Sequence, residues 1–153
     1  MIGAALEATW QIREATPEDS VGLGICMRSA YAPYQDRMGG SRLPPMDVDY
    51  LSEIKSYPTW VVESKGRILG GLIMMFDNGK ATIANIAVDP GYQGQGIGGG
   101  LMKFAESKAR ENHYSELHLA THQLLDENIS LYRYLGWEET GREGSRVLMR
   151  KEI

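Results

Sequence analysis

Asn85-Ile86-Ala87-Val88-Asp89-Pro90-Gly91-Tyr92-Gln93-Gly94-Gln95-Gly96-Ile97-Gly98-Gly99-Gly100 carries three signals in one stretch. Its opening residues finish an apolar, strand-type run. Asp89-Pro90-Gly91 then marks a turn. From Ile97 onward, Leu101, Phe104 and Ala105 recur at helical spacing, and the pattern ends near Arg110. A strand therefore passes through a glycine-rich loop into an amphipathic helix. Glycines lack a Cβ and let a ligand approach the backbone. The unpaired N–H groups and the roughly +0.5 charge of a helix N-terminus favour an anion there. Strand, glycine loop and helix start together form a pyrophosphate-binding device. Gly94-x-Gly96-x-x-Gly99 satisfies the dinucleotide fingerprint literally. That fingerprint, however, follows the first strand of a parallel sheet and needs an acidic residue about 20 residues later. Here the strand follows a hairpin, and no carboxylate ends the next strand. No Gly-Lys-Ser/Thr follows either, which excludes a kinase-type phosphate loop.

Upstream, three apolar strands are expected at 59–63, 68–76 and 81–88. They are separated by Lys65-Gly66 and Asn78-Gly79, the latter the strongest short hairpin signal, so this part reads as an antiparallel meander. Before it, Trp10-Gln11-Ile12-Arg13 reads as a strand. Thr16 and Pro17 read as N-cap and first position of a helix reaching about Ala30. An irregular stretch at 32–47 has the length of a binding loop. A short helix follows, started by Asp47 or a neighbour, with Met46, Tyr50, Leu51 and Ile54 on one face. Downstream, a strand at 116–121 precedes a helix at 126–135, stopped by Gly136, and a last strand at 146–149. The order β-α-α-β-β-β-α-β-α-β predicts a mixed α/β (α+β) domain. One βαβ crossover joins strand 81–88 to strand 116–121 through the long helix.

At 153 residues the chain suits a single domain, 1–153. Hydrophobic content of 42% and charged content of 24% are those of a soluble globular protein. A net charge of −4 argues against nucleic acid as a partner and mildly favours cations. No apolar run has the roughly 20 residues needed to span a bilayer, so no membrane partner is expected. Met1 to Ala8 lacks a basic start and a long apolar stretch, so no leader segment is expected. The single cysteine, Cys26, cannot form an internal disulfide, which fits a cytoplasmic location. It is expected to be a small buried helix residue.

Two motifs now carry a resemblance. Gln93-x-x-Gly96-x-Gly98 resembles the Gln/Arg-x-x-Gly-x-Gly/Ala signature of the GNAT N-acetyltransferase superfamily. The preceding Asn-Ile-Ala-Val-Asp-Pro is similar to the corresponding strand of bacterial ribosomal-protein N-terminal acetyltransferases. Asn128-x-x-Leu131-Tyr132-x-x-Leu135-Gly136-Trp137 resembles the second superfamily motif. The match covers roughly 81–137; the earlier region agrees in element order alone. It implies a mostly antiparallel twisted sheet of 6–7 strands with helices on both faces. It also implies acetyl-CoA as co-substrate, no metal, and direct attack of a primary amine on the thioester, with no acyl-enzyme. The acceptor would be a small-molecule or peptide amine, and a homodimer is one assembly it allows.

The resemblance also implies roles. The backbone of Ile86, Ala87 and Val88 would pair with the pantetheine arm. The amides of Gln93, Gly94, Gln95, Gly96, Ile97, Gly98 and Gly99 would cradle the pyrophosphate. Asn128 would hydrogen-bond the arm, and Tyr132 would protonate the departing thiolate. The chemistry agrees: a thioester already reacts with a neutral amine, so positioning and an acid suffice. A phenol with an ordinary pKa of about 10 keeps its proton at pH 7.

Two positions depart from the pattern. Many relatives place the cofactor asparagine seven residues before the tyrosine, where this chain has Leu125; Asn128 stands four before, on the same helix face. The ribosomal-protein enzymes place a glutamate twelve residues before the tyrosine, where this chain has Ala120. Alternation puts His118 and His122 on that face, with His122 nearer the expected reaction centre and the stronger candidate base. Asn85, expected on one strand face with Ile83 and Ala87, is a candidate to orient the acceptor or a water. Tyr31, Tyr34 and the Arg37-Met38 pair are further candidate acceptor contacts. Trp60 and Trp137 are assigned to the core, and Glu106–Arg110 to a surface helix pair. Two rival readings are a non-catalytic acyl-CoA sensor on the same fold and a transferase using another acyl-CoA, such as succinyl or propionyl.

Overall fold

Both hairpin dipeptides fold as their composition requires. Lys65 and Gly66 have φ of 52° and 77°, and Asn78 and Gly79 have 51° and 72°. Two successive left-handed residues make the turn whose twist matches that of the flanking strands. These turns join β2 (Thr59–Ser64), β3 (Arg67–Asp77) and β4 (Lys80–Val88) into an antiparallel meander, with β1 (Gln11–Glu14) added on the outer edge of β2. This computed structural model describes residues 9–40 and 43–153, so the leader reading of Met1 to Ala8 lies outside the described residues.

Between β1 and β2 run α1 (Ser20–Tyr31) and α2 (Tyr50–Ser56). The turn Pro17–Asp19 feeds directly into α1, and the Thr16 amide donates to Asp19 Oδ2 at 2.7 Å. The N-cap of α2 is Asp49, whose carboxylate accepts from the Ser52 amide. Leu51, expected on the buried face of α2, is exposed, whereas Tyr50 is buried. After β4 come α3 (Ile97–Glu111), β5 (Glu116–His122), α4 (Asp126–Tyr134), β6 (Glu138–Glu143) and β7 (Arg146–Glu152). The seven-stranded sheet has the order β1-β2-β3-β4-β5-β7-β6. Its one parallel pair is β4–β5, bridged by α3. The element string read from the sequence held six strands; β6 is the seventh. Its sequence, Glu-Glu-Thr-Gly-Arg-Glu, has no apolar alternation because it is an edge strand paired to β7 alone.

Helices cover both faces. On one, Leu23 and Met27 of α1 pack on Val61 and Ile73. On the other, Ile97, Leu101 and Ala105 of α3 pack on Trp60, Val62, Leu72 and Met74, with Trp137 in the same core. Because both faces are covered, β3 is a continuous apolar run rather than an alternating one. Gly71 is bare for the same reason. A Cβ there would come within 2.4 Å of Leu23 Cδ1 and 3.1 Å of Met27 Cε, so the side chains of α1 pack directly on the bare backbone. Glu106 contributes more than a surface pair with Arg110, since it also accepts from Lys151 Nζ at 2.9 Å and ties α3 to β7.

One irregularity sets up the site. Ile73 faces Asn85, yet Met74 faces Ile83, so Ala84 is an extra residue in β4. Such a bulge reverses the alternation. Ile83 lies in the α3-side core, whereas Ala87 packs on the α1 side. Asn85 bonds there with Tyr31 and Tyr50. The expected shared face of Ile83, Asn85 and Ala87 is therefore corrected to two faces.

Candidate active site

Beyond the bulge, β4 and β5 part. Pairing between them covers Ala81–Leu117, Thr82–His118 and Ile83–Leu119, although β4 runs on to Val88 and β5 to His122. The Asp89 amide donates to Leu69 O at 2.8 Å, which fixes the phase of the β3–β4 ladder. Opposed residues alternate between bonding across the pair and facing away. Asn85 and Ala87 therefore bond toward β3, while Ile86 and Val88 turn their backbone groups to the side β5 has left. The Tyr31 hydroxyl confirms this phase by donating to Ile86 O at 3.3 Å. A stretch of strand with no neighbouring strand on that edge lies inside the sheet.

The loop that follows is built around its turns. The Asp89 carboxylate accepts from the Gly91 amide at 2.8 Å and holds the Pro90–Tyr92 turn. Gly94 and Gly96 have φ of 83° and 81°, left-handed values that favour glycine. Gly96 is the N-cap of α3, and no side chain caps it. The first intrahelical bond runs from the Gly100 amide to Gly96 O, so the amides of Ile97, Gly98 and Gly99 have no helical partner. Three glycines in one helical turn are unfavourable by roughly 1 kcal/mol each relative to alanine. Packing explains Gly100, where a Cβ would come within 2.8 Å of the Trp10 ring. It does not explain Gly98 or Gly99, which have room for a Cβ and border open space. That room, beside unpaired amides, suits a phosphate group.

A cleft of about 460 Å³ collects these features. This volume lies within the usual range for small-molecule sites. Of the residues singled out from sequence, Ile86, Ala87 and Val88 line it, as do Gln93, Gly94, Gly96, Ile97, Gly98 and Gly99. So do Tyr31, Tyr34, Asn128 and Tyr132. Gln95 does not; its carbonyl lies 3.4 Å from Trp10 Nε1, which donates to it. Asn85 lies behind the lining. Its Oδ1 accepts from Tyr31 and its Nδ2 donates to the Tyr50 hydroxyl, which in turn donates to Pro45 O. With both ends engaged, Asn85 holds Tyr31 in place rather than facing a ligand. Leu125, at the alternative asparagine position, is buried in the core, which leaves that face of α4 to Asn128.

Tyr132 packs its ring 6.0 Å from that of Trp137, and its hydroxyl has no partner among the described residues. Burial, with nearby Tyr34 adding, pushes its phenol up to about 12. Cys26 is buried on α1; desolvation pushes its thiol up to about 12, which keeps it an inert core group. The histidines are not brought into the cleft. His118 lies in a separate hollow with His113 and Lys80, its Nε2 3.0 Å from Glu116. His122 ends β5, and its Nδ1 accepts from the Leu124 amide at 3.1 Å. The neutral ring must then carry its proton on Nε2 and has no free lone pair.

Six lining residues were not singled out as ligand contacts from sequence: Ala30, Tyr92, Met102, Glu127, Leu131 and Leu135. Met102 stands four residues after Gly98 and so shares its helix face, a signal the spacing did offer. Glu127 could not be assigned because its partner is remote. Arg37 grips it with two bonds, Nη1 to Oε1 and Nη2 to Oε2, each 2.5 Å. Arg37 also bonds Leu124 O and lies over the Tyr34 ring. The clasp fastens the Ala32–Met38 turn to the start of α4, and Arg37 holds the Glu127 carboxyl down at about 2.

Seven strands with one parallel pair, a parted β4–β5 seam and an uncapped glycine helix start define an acyl-CoA transferase architecture. The chain belongs to the Acetyltransferase (GNAT) family, which it matches over residues 27–137. It is 28% identical to the "uncharacterized N-acetyltransferase YjgM" of Escherichia coli (strain K12), over 93% of this chain and 94% of that one. Its fold is similar to the PaiA N-acetyltransferase of Thermoplasma acidophilum in complex with coenzyme A, with a TM-score of 0.82 at 19% identity. That likeness covers 95% of this chain and all of the other. A GNAT family acetyltransferase from Elizabethkingia anophelis with acetyl-CoA bound is also similar, with a TM-score of 0.66 at 20% identity over 96% and 100% of the two chains. No helix among the described residues is long and apolar enough to cross a membrane.

Proposed function

We propose that this chain transfers the acetyl group of acetyl-CoA to a primary amine, acting as a single domain, 1–153, in the cytoplasm. One observation carries the reading. A strand edge with no neighbouring strand, an uncapped glycine helix start and a phenol with a free hydroxyl border the same cleft. Acetyl-CoA supplies an activated thioester. The amides of Ile97, Gly98 and Gly99 hold its pyrophosphate, with Gln93 and Gly94 in the approach. Ile86 and Val88 pair with the pantetheine arm as a missing strand would, and Asn128 bonds it from the other wall. Tyr132 donates its proton to the sulfur as the carbon–sulfur bond breaks. Tyr31 and Tyr34 flank the acceptor, with Tyr31 held by Asn85. His122 is given no part in the reaction, because its ring is turned to Leu124.

The test is release of free CoA from acetyl-CoA in the presence of a panel of primary amines. Amine-dependent release supports the transferase. Tight acetyl-CoA binding without release from any amine identifies a sensor. Competition among acetyl-, propionyl- and succinyl-CoA sets the acyl preference.

A further inference from the structure

We propose that the acceptor is a primary amine with no second charge on its body, so that uncharged, largely apolar amines are preferred over polyamines and over amines bearing a carboxylate. This inference rests on the transferase reading above and concerns which amine that site takes. Its ground is the charge of the cleft lining. Among the described residues that line it there is no lysine, arginine or histidine, and Glu127 is the one carboxylate. Arg37 takes both oxygens of that carboxylate, so the pair is neutral as a unit. His122 is turned to the Leu124 amide, and His118 lies in the other hollow with Lys80. Gln93 and Asn128 bring amides, and Ile86 and Val88 bring backbone groups; these can hydrogen-bond an amine but carry no charge. The four phenols keep their protons at neutral pH, and burial raises those of Tyr31 and Tyr132 further. The chain's net charge of −4 therefore lies outside the cleft lining.

A ring face can hold a cation in place of a carboxylate. Two of the four rings are already so engaged: the Arg37 guanidinium lies 5.3 Å from the centre of the Tyr34 ring, and that of Arg67 lies 5.3 Å from the centre of the Tyr92 ring. The Tyr132 ring packs against Trp137. A second ammonium on the acceptor would thus meet guanidinium groups and no free anion. A carboxylate on the acceptor would find no cation on the lining, since Arg37 is spent on Glu127 and the Leu124 carbonyl. Ala30, Met102, Leu131 and Leu135 add apolar surface to the same walls. An apolar body gains by covering such surface, whereas an unpaired ion loses its hydration there.

The experiment follows kcat/KM by CoA release at one neutral-to-alkaline pH, with the full chain, acetyl-CoA and two matched sets of acceptors. One set is 4-methylbenzylamine, 4-(aminomethyl)benzoate and 1,4-bis(aminomethyl)benzene. The other is hexylamine, 6-aminohexanoate and 1,6-diaminohexane. In each set the neutral body should exceed both charged ones at least about tenfold, because desolvating an unpaired ion is costly. Arg37→Gln releases the Glu127 carboxylate to the cleft, and the diamines should then gain about fivefold relative to the neutral acceptors. The double variant Arg37→Gln/Glu127→Gln should lose that gain. A diamine or a carboxylate-bearing amine that equals the neutral acceptor in both sets overturns this inference alone. So does a diamine unmoved by Arg37→Gln in protein that melts and binds acetyl-CoA as the parent does. No CoA release from any acceptor, with acetyl-CoA still bound, overturns the transferase reading and this inference with it.

Discussion

Tyr132 concentrates the chemistry in one hydroxyl, and its surroundings set when that hydroxyl can act. Tyr132→Phe keeps the ring against Trp137 and removes the proton donor. General acids of this kind are typically worth 10²–10⁴-fold, so kcat should fall by about that factor. Acetyl-CoA affinity by calorimetry should stay within about twofold. Burial raises this phenol, so the protonated, active form persists to higher pH than in a free tyrosine. kcat should therefore hold level through pH 10 and decline only as pH approaches 12; a decline centred near 10 would show an unburied phenol. The family resemblance pointed to Tyr132 and Asn128, and position at a helix end pointed to Tyr31 and Tyr34; all four line the cleft. The sequence concealed Glu127 and the true setting of Asn85. Glu127 is defined by an arginine ninety residues earlier, and Asn85 by two tyrosines on different helices. Local spacing holds no record of such partners.

At the level of elements, the glycine start of α3 was the most legible feature. Glycine there is locally unfavourable, and that cost marks a function. The structure sharpens which glycine tests it. At Gly96, φ is positive, so valine would strain the fold whatever the ligand does. Gly98 is helical, and a Cβ there would lie 3.8 Å from Val88 Cγ2, an ordinary contact. Gly98→Val should thus fold with a Tm close to the parent while acetyl-CoA affinity falls at least about tenfold, read by calorimetry. Equal affinity would move the phosphate site elsewhere. The meander was legible from its two turn dipeptides and β3 from its apolar run. The bulge at Ala84 was not, because an inserted residue leaves no mark in an alternation that is short and apolar on both faces. β6 was hidden for the opposite reason: an outermost strand needs charge, and charge reads as loop.

For the whole molecule, the cleft lies between α1 and its following turn on one side and α3 and α4 on the other, so a ligand there would touch both. A ligand at 100 times its dissociation constant adds about 2.7 kcal/mol to folding stability. For a chain of this size that is a rise in Tm of about 5–10 °C. A melt unmoved by millimolar acetyl-CoA would contradict the site itself. The class of fold followed from the order of elements. The position of the cleft required knowing where β4 leaves β5, which only the three-dimensional register reveals.

That parting leaves a signature that deuterium can report residue by residue. In the free protein, the amides of Asn85, Ala87 and Asp89 are bonded to β3 and should exchange slowly. Those of Ile86 and Val88, between them, face the side where β5 has parted and should exchange fast, giving an alternating record along a single strand. Acetyl-CoA laid into the seam would slow the fast amides and leave the slow ones unchanged. The alternation would vanish, and the strand would behave as one paired on both sides.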